Sequence, residues 1–418
     1  MDLLTNQLRL RVGDWPKAVA GFLFVQGNDG KPLYFEKPTQ FFGWLAGEVG
    51  KGLIDNAVRW TDHGDNLISR GQFFEYLRHN VEQYLGVEHV PNFPPMPNIF
   101  YMHDSIGVGD EKTLNAFLKF FAPASSIDQE LLLAFTVSLF WGGDCGKRPA
   151  WLFTGPDKDN EGGRGVGKTT TAEKIANVAG GVIGIFDPSQ VKGDELEKRL
   201  LSPQGRMHRI LLIDNLKALK FSWAFLEANI TAETISGRQM YVGEGRRANN
   251  ITTVITANGA TLSRDMAQRC NIVKLARPVY SAGDWDADIT NFVNANREKL
   301  LADVQAFFQR PRGKIETPTR WGPWQNDILS RLENPTAIQE ELARRAKECD
   351  ADDGEKALVE DEIRQAIESF GESPDNVKVK IHAKALAWLV NEALNERMPT
   401  NRATAFAKQL QIPELCGQ

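Results

Sequence analysis

Chemistry in this chain begins with Gly162-Gly163-Arg164-Gly165-Val166-Gly167-Lys168-Thr169, which fits G-x-x-x-x-G-K-[ST] and is followed by Thr170. The glycines let the backbone turn its N–H groups onto phosphate oxygens. Lys168 can reach β- and γ-phosphates, and the Thr169 hydroxyl suits Mg2+. The run therefore predicts nucleotide binding, with ATP and Mg2+ as the expected pair. Its context argues against a chance Gly-rich turn: the apolar run Arg148–Gly155 leads in, and a helical "KTTTAEKIANVA" comes after, stopped by Gly180-Gly181.

A second group lies in "RILLIDN", where an apolar strand ends in Asp214 and then Asn215. The carboxyl ends of strands are where open α/β sheets hold ligands, so Asp214 is a second candidate for Mg2+. A water-activating acid often succeeds such an Asp; here the place is taken by Asn215, which cannot accept a proton. "VITAN" then puts Asn258 at the end of a further apolar strand. A neutral amide there can orient attacking water or sense the γ-phosphate. The alternative is a turn-forming Asn before Gly259.

The elements that must position these residues alternate along the chain. Apolar runs at Arg148–Gly155, Val182–Asp187, Arg209–Asp214, Ile251–Asn258 and Asn271–Ala276 are separated by helical segments, which indicates a parallel sheet covered by helices on both faces. The expected fold class is α/β: a three-layer, P-loop ATPase core over 105–310, with a helical lead-in at 105–146. Before it, residues 1–104 read as a small α+β domain. That region carries a hairpin signal around Asn28-Asp29-Gly30 and ends in the Pro-rich break "PNFPPMPNIFY". After it, beyond the loosely packed link Gln309–Trp324, residues 311–418 read as a helical domain, the winged helix being one form it can take.

Composition bounds the partners. A net charge of −5 argues against a surface coated in basic residues for nucleic acid but leaves room for a local basic channel. Four scattered cysteines, Cys145, Cys270, Cys349 and Cys416, form no CxxC pair, and the six histidines show no ligand spacing. A zinc site or disulfide framework is not expected. The most apolar run, Leu131–Trp141, is too short to span a membrane, and the N-terminus has no signal-like apolar core. The expectation is a soluble protein of a reducing cytoplasm.

The order of these parts resembles the AAA+ ATPases and, more closely, the superfamily 3 helicases of phages, plasmids and small viruses. The resemblance covers about 105–280. In that family the strand ending at the metal-holding acid can close on Asp-Asn, so Asn215 is within its pattern. The segment "ETISGRQMYVGEGRRANN" matches the family's channel hairpin, with its tip expected at Gly243–Gly245. The resemblance implies that Arg246 and Arg247 contact the backbone of single-stranded DNA and that Tyr241 stacks on it. In "LSRDMAQRC", Arg269 matches the finger Arg that enters a neighbour's site, with Arg264 as a second candidate. If a carboxylate base exists, Glu227 is the candidate, although a solvated charge on a helix face is the reading the sequence favours.

The resemblance implies an ATP hydrolase with Lys168, Asp214, Asn215, Asn258 and Arg269 in catalysis. It would work as a homo-oligomeric ring, usually a hexamer, in a bacterial host cell, beside a primase or primase-polymerase. The alternative is an AAA+ initiator, loader or regulatory nucleotide-binding ring without processive unwinding. The C-terminal "RMPTNRATAFAKQL" resembles the second half of a helix-turn-helix.

Overall fold

The computed structural model of the chain describes residues 1–28, 30–49, 68–155, 165–186, 193–216, 220–221, 224–239, 243–257, 261–278, 282–349, 359, 363, 366, 382–394 and 397–409. Asp29 of the expected N-terminal turn and most of the acidic 349–362 stretch lie outside these residues.

Near the N-terminus, β1 (Lys17–Val19), β2 (Phe22–Gln26), β3 (Pro32–Phe35) and β4 (Gln83–Tyr84) form a sheet in the order β3-β2-β1-β4. The β2–β3 pair is the antiparallel hairpin expected from the apolar strands on either side of the turn. Its apolar face packs with the helices Pro38–Val49 and Arg70–Asn80 around Leu23, Phe41, Phe73 and Leu77. The second helix opens on a capping box between Ser69 and Gln72. A parallel pair, β5 (Gly86–Glu88) and β6 (Ile99–Tyr101), leads toward the larger core.

All five apolar runs that alternate with helical segments enter one parallel sheet. Its strands are β7 (Ala150–Thr154), β8 (Val182–Phe186), β9 (Ile210–Leu216), β13 (Thr252–Ala257) and β15 (Cys270–Lys274), in the order β15-β7-β13-β9-β8. Burial on both faces explains why the strands read as continuous apolar runs rather than alternating ones. Between β9 and β13 the chain forms β10 (Lys220–Phe221) and the antiparallel pair β11 (Thr234–Gln239) and β12 (Gly243–Ala248). β14 (Thr261–Leu262) pairs in parallel with β10.

Two proline-rich links are held more firmly than their composition suggests. Asn92 is buried, Phe93 N donates to Phe140 O at 2.7 Å, and Arg209 binds the carbonyl of Pro91. In the second link, residues 311–314 and 316–320 are exposed, but Trp321 and Trp324 are buried in the same core as the sheet, and Trp324 Nε1 donates to Ser138 Oγ at 2.8 Å. The core that holds the sheet therefore continues through Ile328, Leu332 and Ile338. A separate small core joins the helices Ala383–Leu394 and Thr400–Gln409 through Leu386, Val390, Ala403 and Ala407.

Candidate nucleotide site and hairpin

The site is built where β7, β9 and β13 end. The described part of the loop, Gly165 to Gly167, carries positive φ at Gly165 (75°) and Gly167 (76°). A side chain would be strained there, so glycine is what permits the turn. The helix Lys168–Val178 starts immediately after, and Val166 is buried. Lys168 is 9% exposed; burial lowers its pKa, and the nearby Asp214 carboxylate acts the other way. A partly desolvated ammonium held beside a carboxylate is suited to a more highly charged phosphate ligand.

Asp214 is the convergence point. Thr169 Oγ1 donates to Asp214 Oδ1 at 2.5 Å, and Thr256 Oγ1 donates to the same oxygen at 2.6 Å. Thr256 belongs to β13, the strand between those that carry the loop and the acid. The register shows how it gets there. Ile255 faces Ile213, but Ala257 faces Leu216, so Asp214 and Asn215 together oppose Thr256. Such a bulge re-aims side chains at the end of a sheet. Sequence reasoning misses Thr256, because its role depends on which strand is the neighbour.

The donor set fits Mg2+. Two hard oxygens, Thr169 Oγ1 and Asp214 Oδ1, lie close enough to face one cation, and Mg2+ takes few protein oxygens when phosphates supply others. Among the described residues no cluster of His, Cys, Asp or Glu suits an all-protein metal cage. Gly162, Gly163, Arg164 and Asn258 lie outside the described residues. For Asn215 the backbone alone is described, as part of the bulge.

Arg269 lies at the opposite end of the sheet. It immediately precedes β15, whose first residue pairs with Ala150 at the start of β7, whereas the phosphate loop comes after the end of β7. At about 3.3 Å per residue, β7 alone puts roughly 13 Å between those ends. Its guanidinium donates to Asp265 O at 2.7 Å and pairs with the Asp265 carboxylate at 3.4 Å, leaving Nε buried and without a partner. Arg264 is exposed at the start of the short helix Arg264–Ala267. Glu227 is not the solvated charge that the sequence favours: it is 9% exposed and accepts from Ser263 Oγ at 3.3 Å. Its charge also acts on Cys270, so it stands at the Arg269 end and not beside Asp214.

The hairpin departs from expectation in two ways. The register pairs Gln239 with Gly243, which makes Gly243–Gly245 part of the second strand and not the tip; Tyr241 lies outside the described residues. Adjacent strand residues face opposite ways, so Arg246 and Arg247 cannot both face a ligand. Arg246 is exposed. Arg247 is 5% exposed and spends its guanidinium on Leu200 O, Gly205 O, His208 O and Asn250 Oδ1. The exposed cation that shares the outer face with Arg246 is Arg238, which pairs across from Glu244. The period-two alternation is the signal that finds it in the sequence.

Beneath the hairpin stem lies a buried polar network. Arg209, 1% exposed, precedes β9 and donates to Glu88 Oε2 at 2.9 Å, Asn92 Oδ1 at 2.9 Å and the carbonyls of Val90, Pro91 and Leu139. Glu88 Oε1 accepts from Asn250 Nδ2 at 2.7 Å, and Asn250 in turn accepts from Arg247. The end of β5, the start of β9 and the foot of the hairpin are thus tied through one carboxylate.

Sheet, loop and acid together define an α/β, ATPase-like fold. No protein-family model matches the sequence, and no curated protein matches it. Among solved structures, two apo A-form structures of the NrS-1 C-terminal region align with nearly the whole chain. The first has a TM-score of 0.51 at 13% identity, covering 98% of this chain and 91% of that one. The second has a TM-score of 0.50 at 11% identity, covering 98% and 94%. At these identities the likeness is one of fold. A JCV helicase with a bound acetamide compound aligns at a TM-score of 0.29 and 11% identity, over 57% of this chain and 60% of that one, too distant to carry an argument. Among the described residues no helix is long and apolar enough to cross a membrane.

Proposed function

We propose that this chain is an ATP-driven DNA helicase of the AAA+ superfamily 3 type, working on single-stranded DNA as a homo-oligomeric ring in the replication of a phage or other mobile element. The observation that carries the reading is the convergence of Thr169 and Thr256 on Asp214 beside a buried Lys168. In this reading Gly162–Thr170 cradle the triphosphate of ATP, and Thr169 and Asp214 hold Mg2+. Mg2+ held there would supply charge neutralisation to the triphosphate.

The remaining work falls to the chain. Lys168 places positive charge at the β/γ-phosphates. Thr256 fixes the Asp214 carboxylate by donating to one oxygen. Asn215 and Asn258 position water and sense the γ-phosphate, which suffices where the transition state is loose and positioning outweighs a strong base. Arg269, at the far end of the sheet, serves the site of an adjacent copy, which makes the ring a condition of turnover. The hairpin presents Arg246 and Arg238 to the phosphodiester backbone, and Tyr241 stacks on bases. A primase or primase-polymerase, in the cytoplasm of a bacterial host, is the partner this role calls for.

Strand displacement on a forked DNA substrate tests the proposal. ATP-dependent displacement abolished by Lys168→Ala is expected. Turnover without displacement would replace the helicase by an initiator or loader.

A further inference from the structure

Apart from the nucleotide site, the chain has a groove of about 1300 Å³ bounded by the 102–113 segment, the helix Ala282–Gln309, the C-terminal end of the helix Lys168–Val178 and the β2–β3 turn. One end collects Lys31, His89, Asn177, Gly180 and Arg297. Arg297 is half-buried, and among the described residues it forms no ion pair. Its hydrogen bond there runs from Nη1 to Asn177 O at 3.4 Å, a long contact at the C-terminal end of a helix. Burial draws its pKa down, with no carboxylate opposing that shift.

His89 faces the same end. Its Nδ1 is buried and has no hydrogen-bond partner. The ring lies so close to Gly180 that a Cβ there would come within 2.3 Å of Nε2. The charged and titratable groups around it are Glu88, Arg209, Arg297 and His208. Glu88 cannot serve His89, because Arg209 and Asn250 occupy its two oxygens. A guanidinium without a carboxylate and an orphaned imidazole nitrogen at one end of a groove are complementary to a compact anion with several acceptor oxygens.

The other end of the groove is different. Asp303 there accepts from the backbone N–H groups of Asp110, Glu111 and Leu114; Asp104 and Glu298, the latter directly after Arg297 in the helix, add exposed carboxylates to the lining. A long polyanion would have to run past these carboxylates. We infer that the Arg297–His89 end of the groove binds a compact phosphate group, as inorganic phosphate or as a small phosphomonoester. Arg297 supplies a two-pronged contact, His89 donates from Nδ1, and Asn177 lies beside them. Because Lys31 and His89 come from the N-terminal part of the chain and Arg297 from the long helix, the ligand would bridge the two.

The test is calorimetric titration of inorganic phosphate and of glycerol 3-phosphate into the Lys168→Ala protein, whose phosphate loop is disabled. Both probes should bind or one should be preferred, which identifies the source of the phosphate. Arg297→Gln in that background should weaken binding at least about tenfold. Arg297→Lys, which keeps charge but loses the fork, should fall between, and it decides the matter if the Gln variant does not fold. Binding near pH 6 should take up a proton, and His89→Gln should abolish that uptake. Absence of binding once Lys168 is replaced, affinity indifferent to Arg297, or equal competition by an oligonucleotide without terminal phosphates would overturn the inference.

Discussion

Thr256 and Asp214, on neighbouring strands, share a 2.6 Å hydrogen bond that exists because two residues of β9 oppose one residue of β13. The donor leaves the acid oriented toward Thr169 and the phosphate loop. Replacing Thr256 by Val keeps the shape and removes the hydroxyl. A hydrogen bond to a charged group contributes about 1.5–3 kcal/mol, so ATP turnover should fall on the order of ten- to a hundredfold with little change in nucleotide affinity. Steady-state hydrolysis and nucleotide titration on the same protein check this; undiminished turnover would remove Thr256 from the site.

The two adjacent arginines of the hairpin should behave oppositely. Arg247→Ala leaves four acceptors without their buried donor and should destabilise the fold by about 2–4 kcal/mol, seen in denaturant unfolding. Arg246→Ala and Arg238→Ala should leave stability within about 0.5 kcal/mol while weakening single-stranded DNA binding and lowering the salt slope by roughly one each. The reverse pattern would place Arg247 outside the core.

This pair also shows what is legible in the sequence. The central sheet is readable because its strands are buried on both faces and so appear as unbroken apolar runs. The Gly165–Gly167 turn and Asp214 are readable because glycines mark a turn with positive φ and the end of an apolar strand marks the acid. Thr256 is hidden, since its contact depends on strand order and on a bulge. Arg247 is misread when a dipeptide of like charges is taken as one feature, because a strand sends neighbours to opposite faces. Glu227 reads as solvated because a helix segment alone does not show what packs over it.

Glu88 holds the buried Arg209 and Asn250 together. Glu88→Gln removes the charge and leaves a fully buried guanidinium uncompensated, which should lower stability by about 3–5 kcal/mol. Thermal or denaturant unfolding measures it, and a loss under about 1 kcal/mol would mean that the neighbouring carbonyls alone suffice.

Stability should also depend on the imidazole of His89. Burial lowers its pKa from 6.5 to about 4, against the opposing pull of Glu88 and with smaller help from Arg209, Arg297 and His208. Between those values the unfolded chain binds a proton that the folded chain does not. Its stabilising effect is therefore complete above about pH 6.5 and is lost as pH falls toward 4, on the order of 3 kcal/mol. His208, lowered mainly by burial, acts in the same direction. His89→Gln should flatten the dependence of Tm on pH across this window, and an unchanged slope would assign the effect elsewhere.

The most direct test of the proposed motor is steady-state ATP turnover with and without single-stranded DNA, for the wild-type chain, Lys168→Ala, Arg269→Ala and an equal mixture of the two variants. Turnover stimulated by DNA, loss in each variant, and partial recovery in the mixture are expected, since there an intact Arg269 of one copy meets an intact Lys168 of another. A wild-type chain that binds ATP but turns over none with any nucleic acid would contradict the proposed motor.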